Sequence, residues 1–159
     1  MQRRSLVLAI AAGLLFATSP ARASSEPTIT RAALDINLPC PKPARETDAN
    51  GKVSLTCMDD TTIYMFVADI ANRNESQDDI YQHNIDGLAK AINGKLRSQT
   101  TITVNGLNGR EFLFDGAGIV LRVREFISGE VFFGLSYVGP VGSENNKPVA
   151  TFLDSLKVK

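Results

Sequence analysis

The sequence has few of the residues on which catalysis and metal binding depend. Among its 159 residues are one His, two Cys and no Trp. It has no glycine-rich phosphate-binding pattern, and the four glycines between residues 106 and 118 have the spacing of hairpin turns. Gly134-Leu135-Ser136-Tyr137-Val138 ends in Val, so it does not present a catalytic serine. These absences predict a protein that is not an enzyme and uses no cofactor or metal.

The single histidine does not change that expectation. On a helical wheel His83 lies opposite the stripe formed by Ile85, Leu88 and Ile92. A position on the polar side of a helix favours a solvated side chain over a general base.

An excess of positive charge is also absent. The chain has 17 basic and 17 acidic residues, and its Lys and Arg are scattered. Binding to phosphate backbones or to anionic lipid needs clustered cations, so we expect no nucleic-acid partner and no polybasic membrane patch.

Long apolar runs are limited to the N-terminus. Arg3 and Arg4 precede twelve apolar residues, Leu6 to Ala17, and Ala21-Arg22-Ala23 resembles a cleavage site. We therefore predict a signal peptide over 1–23 and a mature domain over 24–159, exported to the periplasm or the exterior. The run is too short to span a bilayer, and the mature chain carries 14 basic and 17 acidic residues.

The two cysteines fit an oxidising compartment. Cys40 and Cys57 are the two cysteines of the chain, and an even number of cysteines in an exported protein predicts a disulfide. Residues 41–46 are rich in Pro and charge and 48–51 contain turn residues, so the bridge encloses a predicted loop. A redox-active pair is the alternative, but it favours the Cys-x-x-Cys spacing that this chain lacks.

The first half of the mature chain predicts strands followed by one long helix. Apolar alternation or β-rich composition indicates strands over 33–38, 53–57 and 62–70, the last inside the sheet. Ser76 and Asp79 have the spacing of a capping box. The apolar stripe that follows predicts a helix over 77–96.

The second half predicts an antiparallel meander. Strand patterns cover 100–104, 110–114, 119–127 and 131–138, separated by Asn-Gly, Asp-Gly or Ser-Gly pairs at 105–106, 108–109, 115–116 and 128–129. A short closing helix is expected from Lys147 or Pro148. The fold class is therefore α+β: a largely antiparallel sheet with one long and one short helix.

The turns also predict a register. If Ser128-Gly129 is a two-residue turn, Arg124 pairs with Phe133 and Arg122 with Leu135. One face then carries an apolar set for the long helix to cover: Phe112, Phe114, Ile119, Leu121, Val123, Ile127, Phe132 and Val138.

The opposite face mixes aromatic and charged side chains. A loop at 115–118 places Glu111 opposite Arg122, where opposite charges attract. Because Tyr and Arg are enriched at binding hot spots, we predict a partner surface formed by Arg122, Arg124, Phe133 and Tyr137. In the alternative interpretation these residues belong to a second core layer that the C-terminal helix closes.

The order of these elements resembles the PsbP-like superfamily. The resemblance is carried by the strand ending in Pro39, the long helix, the segment Asn105 to Phe112, the two long hairpin strands and the ending Phe152 to Leu156. It implies an α+β domain related to an extrinsic photosystem subunit, a Ran-binding import factor and exported bacterial proteins. Most such proteins bind rather than catalyse, and the resemblance implies no shared site.

Three functions remain after these exclusions. The first is a non-enzymatic binding or assembly module of the bacterial envelope, whose partner and oligomeric state the sequence does not name. The second is a carrier of a small apolar ligand held between helix and sheet, for which eight Phe could line a pocket. The third is an enzyme of unrecognised type.

Overall fold

A computed structural model describes residues 34–40, 43–47, 52–72 and 74–158. The predicted signal peptide and the predicted turn at 48–51 lie outside them. The described residues form strands β1 to β9 and helices α1 and α2. In chain order these are β1 Leu34–Asp35, β2 Ala44–Thr47, β3 Val53–Met58, β4 Ile63–Ile70, α1 Gln77–Ala91, β5 Lys95–Val104, β6 Leu107–Asp115, β7 Ile119–Ser128, β8 Val131–Pro140, α2 Lys147–Leu153 and β9 Lys157–Val158.

Seven strands form one antiparallel sheet in the order β2-β3-β4-β8-β7-β6-β5. The short strands β1 and β9 pair separately. The predicted α+β class is confirmed, with β4 inside the sheet as expected.

Helix α1 begins where predicted and ends five residues early. The Ser76 hydroxyl accepts a hydrogen bond from the Asp79 amide at 3.1 Å, which caps the first turn. At the other end Asn93 has a φ of 48°, and the Gly94 amide donates to the Ala89 carbonyl at 2.8 Å. This left-handed Schellman ending stops the helix, so the predicted extension to Leu96 is wrong and Leu96 lies in β5.

One of the two predicted Asn-Gly turns is a turn and the other is not. Asn105 and Gly106 have φ values of 49° and 83° and connect β5 to β6. Asn108 and Gly109 lie within β6 instead. A Cβ on Gly109 would overlap the carbonyl oxygen of Glu125. Glycine at this position therefore allows β6 and β7 to approach each other closely.

The predicted pairing of both long hairpins is displaced by two residues, and Glu111 on β6 pairs with Arg124 rather than with Arg122. Arg124 pairs with Leu135 and Arg122 pairs with Tyr137, because the turn is Gly129-Glu130 rather than Ser128-Gly129. Gly129 has a φ of 59° and occupies the first turn position. A shift of two residues keeps every side chain on its predicted face, since side chains alternate with a period of two.

Two N-terminal predictions need correction. The predicted loop over 41–46 contains β2, which pairs with β3 as a short edge strand. The predicted strand over 33–38 is reduced to Leu34–Asp35, and after it Ile36 and Leu38 pack against the core.

The core has two layers, one on each face of the sheet. Under α1, Tyr81 and Ile85 pack on the buried β6 and β7 side chains Phe112, Phe114, Leu121 and Val123. On the opposite face α2 contributes Val149, Phe152 and Leu153, which pack with Leu156 on residues that include Phe66, Val120, Phe126, Phe133, Leu135 and Tyr137. The predicted apolar face under the long helix is confirmed in these β6 and β7 residues.

A candidate docking face

Helix α1 packs on only one half of its face of the sheet. The register places a second group of side chains on the same face, along β3, β4 and β8. These side chains are half-buried or exposed, whereas their counterparts under α1 are buried. We call this group the open face: Ser54, Thr56, Met58, Ile63, Met65, Val67, Phe132 and Ser136.

The open face is apolar in its centre and polar on its flanks. Ile63, Met65 and Val67 succeed one another along β4, and Met58 beside them is 71% exposed. The Ser and Thr members offer hydroxyl groups on the neighbouring strands. An accessible apolar strip with polar flanks is the anatomy of a protein-binding surface.

Acidic residues dominate the margin of this face. They lie in the strands and turns around it: Glu46, Asp59, Asp60, Asp69 and Glu130. Lys52 lies at the same margin, with its ammonium 3.8 Å from the Asp69 carboxylate. The described residues around the apolar strip therefore carry a net negative charge.

A buried carboxylate lies between α1 and the open face. Glu125 on β7 is 3% exposed and stands between Arg110 on β6 and Gly134 on β8. Its Oε2 accepts one hydrogen bond of 3.3 Å, from the Asn84 side-chain amide of α1. The Arg110 guanidinium lies 4.6 Å from the centre of the Tyr81 ring and pairs with Asp78 instead.

This environment disfavours the charged form of Glu125. Burial raises the pKa of Glu125 to about 7, against the smaller opposing effect of the Asn84 hydrogen bond. The pKa of Tyr81 is raised as well, by its own burial and then by the charge of Glu125. A carboxyl that titrates near neutral pH is typical of functional sites.

The aromatic half of the predicted partner surface is not exposed. Phe133 and Tyr137 are each 1% exposed, and the Tyr137 hydroxyl lies 2.7 Å from Ser143 Oγ. Tyr64 stacks between Tyr137 and Phe152 of α2, with ring centres 5.0 and 5.5 Å away. The expectation of an open strip there is wrong for these two residues, because α2 closes this layer of the core.

The two arginines of that prediction lie in a network of ion pairs. Glu111 accepts hydrogen bonds from Arg122 Nη2 at 3.0 Å and from Arg124 Nε at 2.6 Å. Arg124 also pairs with Asp154, and Arg122 donates to the Glu144 carbonyl at 2.9 Å. The structure thus brings both arginines together at the edge of the second core layer, and a binding role for them stays a prediction.

The predicted disulfide is present. Cys40 and Cys57 are bonded, with their Cα atoms 5.8 Å apart. A cavity of about 200 Å³ adjoins the bridge, lined by Pro39, Cys40, Cys57, Met58, Asp59 and Tyr64. Its lining includes Met58 of the open face and Tyr64 of the opposite face, and its lining residues all lie outside the two helices.

His83 and the acidic residues do not assemble a metal or catalytic centre in the part of the chain that the structure describes. The His83 ring is largely exposed, with Nδ1 3.1 Å from Glu75 Oε2. Three or more potential metal ligands do not cluster anywhere in 34–40, 43–47, 52–72 or 74–158. Over the same ranges, the helices are too short or too polar to cross a membrane.

The open face was not predicted from the sequence, although the sequence of β4 contains one indication of it. In β4 apolar residues occupy both faces, so that Ile63, Met65 and Val67 alternate with the core residues Phe66 and Ala68. A continuous apolar run indicates a strand covered on both sides. Here the side chains on one of the two sides are only half-buried.

Comparisons with known proteins support the fold. No family model matches the chain, and no curated protein does. The solution structure of cyanobacterial PsbP (CyanoP) from Synechocystis sp. PCC 6803 aligns with a TM-score of 0.53 at 7% sequence identity, covering 79% of this chain and 81% of that one. A protein of unknown function from Pseudomonas aeruginosa aligns with a TM-score of 0.49 at 10% identity, covering 65% and 78% of the two chains. The chain therefore has a PsbP-like fold, as its sequence resemblance implied.

Proposed function

We propose that this protein is an exported, non-enzymatic binding module of the bacterial envelope, and that its partner docks on the open face. The partner is a protein segment with one apolar side and several basic residues, such as an amphipathic helix. The half-buried apolar strip on β4, with the exposed Met58 beside it and acidic residues around it, is the observation that supports this assignment.

Two physical terms favour such a partner. Covering Ile63, Met65 and Val67 removes apolar surface from water, which stabilises a complex by about 25 cal/mol per Å² before association costs. Basic residues beside the acidic margin raise the association rate and set the orientation. Neither term favours an acidic segment or a nucleic acid.

Carriage of a small apolar ligand, the alternative from the sequence, has less support. The phenylalanines Phe66, Phe112, Phe114, Phe126, Phe133 and Phe152 are at most 1% exposed and pack in the two core layers. Ligand pockets usually measure about 300–1,000 Å³. The cavity at the disulfide has about 200 Å³, and its lining residues all lie outside the two helices.

Site-specific crosslinking tests the proposed docking face. A photoreactive residue replaces Met65 in one variant and Leu96 in a matched control, and both are irradiated in the native envelope. Leu96 is a partly exposed apolar residue of β5, the edge strand farthest from the open face. We expect Met65 to crosslink one protein segment that mass spectrometry shows to be apolar and basic. Equal products from both positions, or an acidic segment, would contradict the proposal.

The exported location has its own test. The predicted cut after Ala23 gives a mature chain that begins at Ser24. Intact-mass analysis of protein from the periplasmic or extracellular fraction should give this N-terminus. An uncut chain recovered with the cytoplasm would refute the assignment.

A further inference from the structure

One strand glycine, Gly134, lies beneath an aromatic ring and could hold a methyl group without a clash. Gly109 and Gly139 lie within strands, and a Cβ on either would overlap a neighbouring atom. A Cβ on Gly134 would instead make ordinary contacts of 3.4 and 3.6 Å with the Phe132 ring. Glycine inside a strand costs stability and often marks the close approach of a ligand. Gly134 is itself buried, with the Phe132 ring over it, and an alanine would fit beneath that ring.

The site beneath the Phe132 ring adjoins the buried carboxylate. Gly134 is the direct cross-strand neighbour of Glu125 on one side and of Val67 of the open face on the other. Directly opposed residues lie about 5 Å apart, which is within reach of a long side chain. A group placed over Gly134 from the open face can thus contact Glu125 once the half-buried Phe132 ring turns aside.

We infer that Glu125 is the anchor for one basic side chain of the partner, whose ammonium or guanidinium group lies over Gly134 and pairs with the carboxylate. This inference rests on the proposed function and adds a specific contact to it. In the free protein Glu125 has no salt bridge within the described residues, because the facing Arg110 is held by Asp78 and Tyr81. A partner cation would supply the missing charge.

The anchor makes docking depend on pH. Below neutral pH the carboxyl is protonated and must release its proton to solvent before it can pair. The charged or titratable groups around it are Tyr81 and Asp78 on α1 and Arg110 on β6, and its neighbour on β8 is Gly134. Among these groups Glu125 is the carboxyl whose pKa burial raises toward neutrality.

The test measures the Kd of the mature protein for an amphipathic helical peptide of Leu and Lys. All variants carry His83→Gln, which removes the sole imidazole. We expect binding about tenfold weaker at about pH 6 than at about pH 8, since the carboxyl is mostly protonated at the lower value. Glu125→Gln should bind weakly at both pH values. Asp86→Asn, the matched control on the outer side of α1, should keep the tenfold difference.

A second variant tests the site over Gly134. Gly134→Ala makes only ordinary contacts and adds a methyl group beneath the Phe132 ring, where it hinders the entry of a partner's side chain. It should therefore weaken binding at about pH 8 with a thermal midpoint that is unchanged or slightly raised. Binding that is independent of pH, or a tenfold difference that persists in Glu125→Gln, would overturn the anchor while the docking face stands. If the wild type binds the peptide at neither pH, the docking face itself is refuted.

Discussion

At the scale of single residues, Glu125 should lower the stability of the free protein at alkaline pH. Its pKa is about 7 in the folded state against 4.5 ordinarily, so the folded state favours the protonated form. Stability is therefore full below about pH 4.5, falls as the pH rises to about 7, and stays reduced above it by about 3 kcal/mol.

Glu125→Gln removes this charge. Urea unfolding of the variant should show a stability gain of up to about 3 kcal/mol at about pH 8 and little change at about pH 4.5. An equal gain at both pH values would show that burial of the charged carboxylate is not what destabilises the protein. A buried charge that destabilises the free protein is typical of a residue that serves function at the expense of stability.

Two strand glycines should respond oppositely to the same substitution. Gly109→Ala forces a methyl group against the Glu125 carbonyl and should cost about 1–3 kcal/mol or more. Gly134→Ala meets only ordinary contacts and removes the entropy cost of glycine, so it should be neutral or stabilising by about 0.5–1 kcal/mol. Thermal denaturation of both variants measures the difference. A similar loss of stability in both would mean that the fold requires glycine at position 134.

At the scale of elements, the second core layer should depend on the side chains that α2 covers. Tyr137→Ala removes a ring that packs against Tyr64 and lies beneath α2, so it should cost about 3–5 kcal/mol. Met58→Ala, on the open face and 71% exposed, should change the free energy of unfolding by less than about 0.5 kcal/mol. An unchanged urea midpoint in Tyr137→Ala would show that α2 does not cover the second core layer.

The elements themselves were largely predictable, and the errors have local causes. Alternation and the Asn105-Gly106 turn located strands of the meander, because a period of two indicates a strand and this pair adopts the positive φ values of a hairpin turn. The Asn108-Gly109 pair misled the prediction because it lies within β6. The end of α1 was misplaced because Leu96 continues the apolar stripe past the Asn93-Gly94 stop. The hairpin register slipped by two because Gly129 can occupy either position of a two-residue turn.

Which side chains stay accessible was not predictable from these local signals. Arg122, Arg124, Phe133 and Tyr137 have the composition of a binding surface, yet two of them are buried in the second core layer. That outcome depends on where α2 packs, which is a long-range property of the chain. Conversely, Met65 and Val67 have the pattern of core residues and lie on the open face, since α1 covers only part of its side of the sheet.

At the scale of the whole molecule, the disulfide should fix the N-terminal segment to the sheet. Cys40 and Cys57 are 17 residues apart, and closing such a loop stabilises a fold by about 3 kcal/mol through the unfolded state. Reduction, or replacement of both cysteines by Ser, should lower the urea midpoint accordingly. Two thiols that alkylate freely in the native oxidised protein would show that the bridge does not form.

The most direct test of the docking face uses the two methionines of the mature chain, Met58 and Met65, both of which lie on it. Methyl-labelled methionine gives one NMR signal for each, and the protein is titrated at about pH 8 with the Leu/Lys peptide and with a Leu/Glu peptide of the same pattern. The account predicts that both signals shift and saturate with the Leu/Lys peptide and stay in place with the Leu/Glu peptide. Unchanged signals with both peptides, or equal shifts with both, would contradict it.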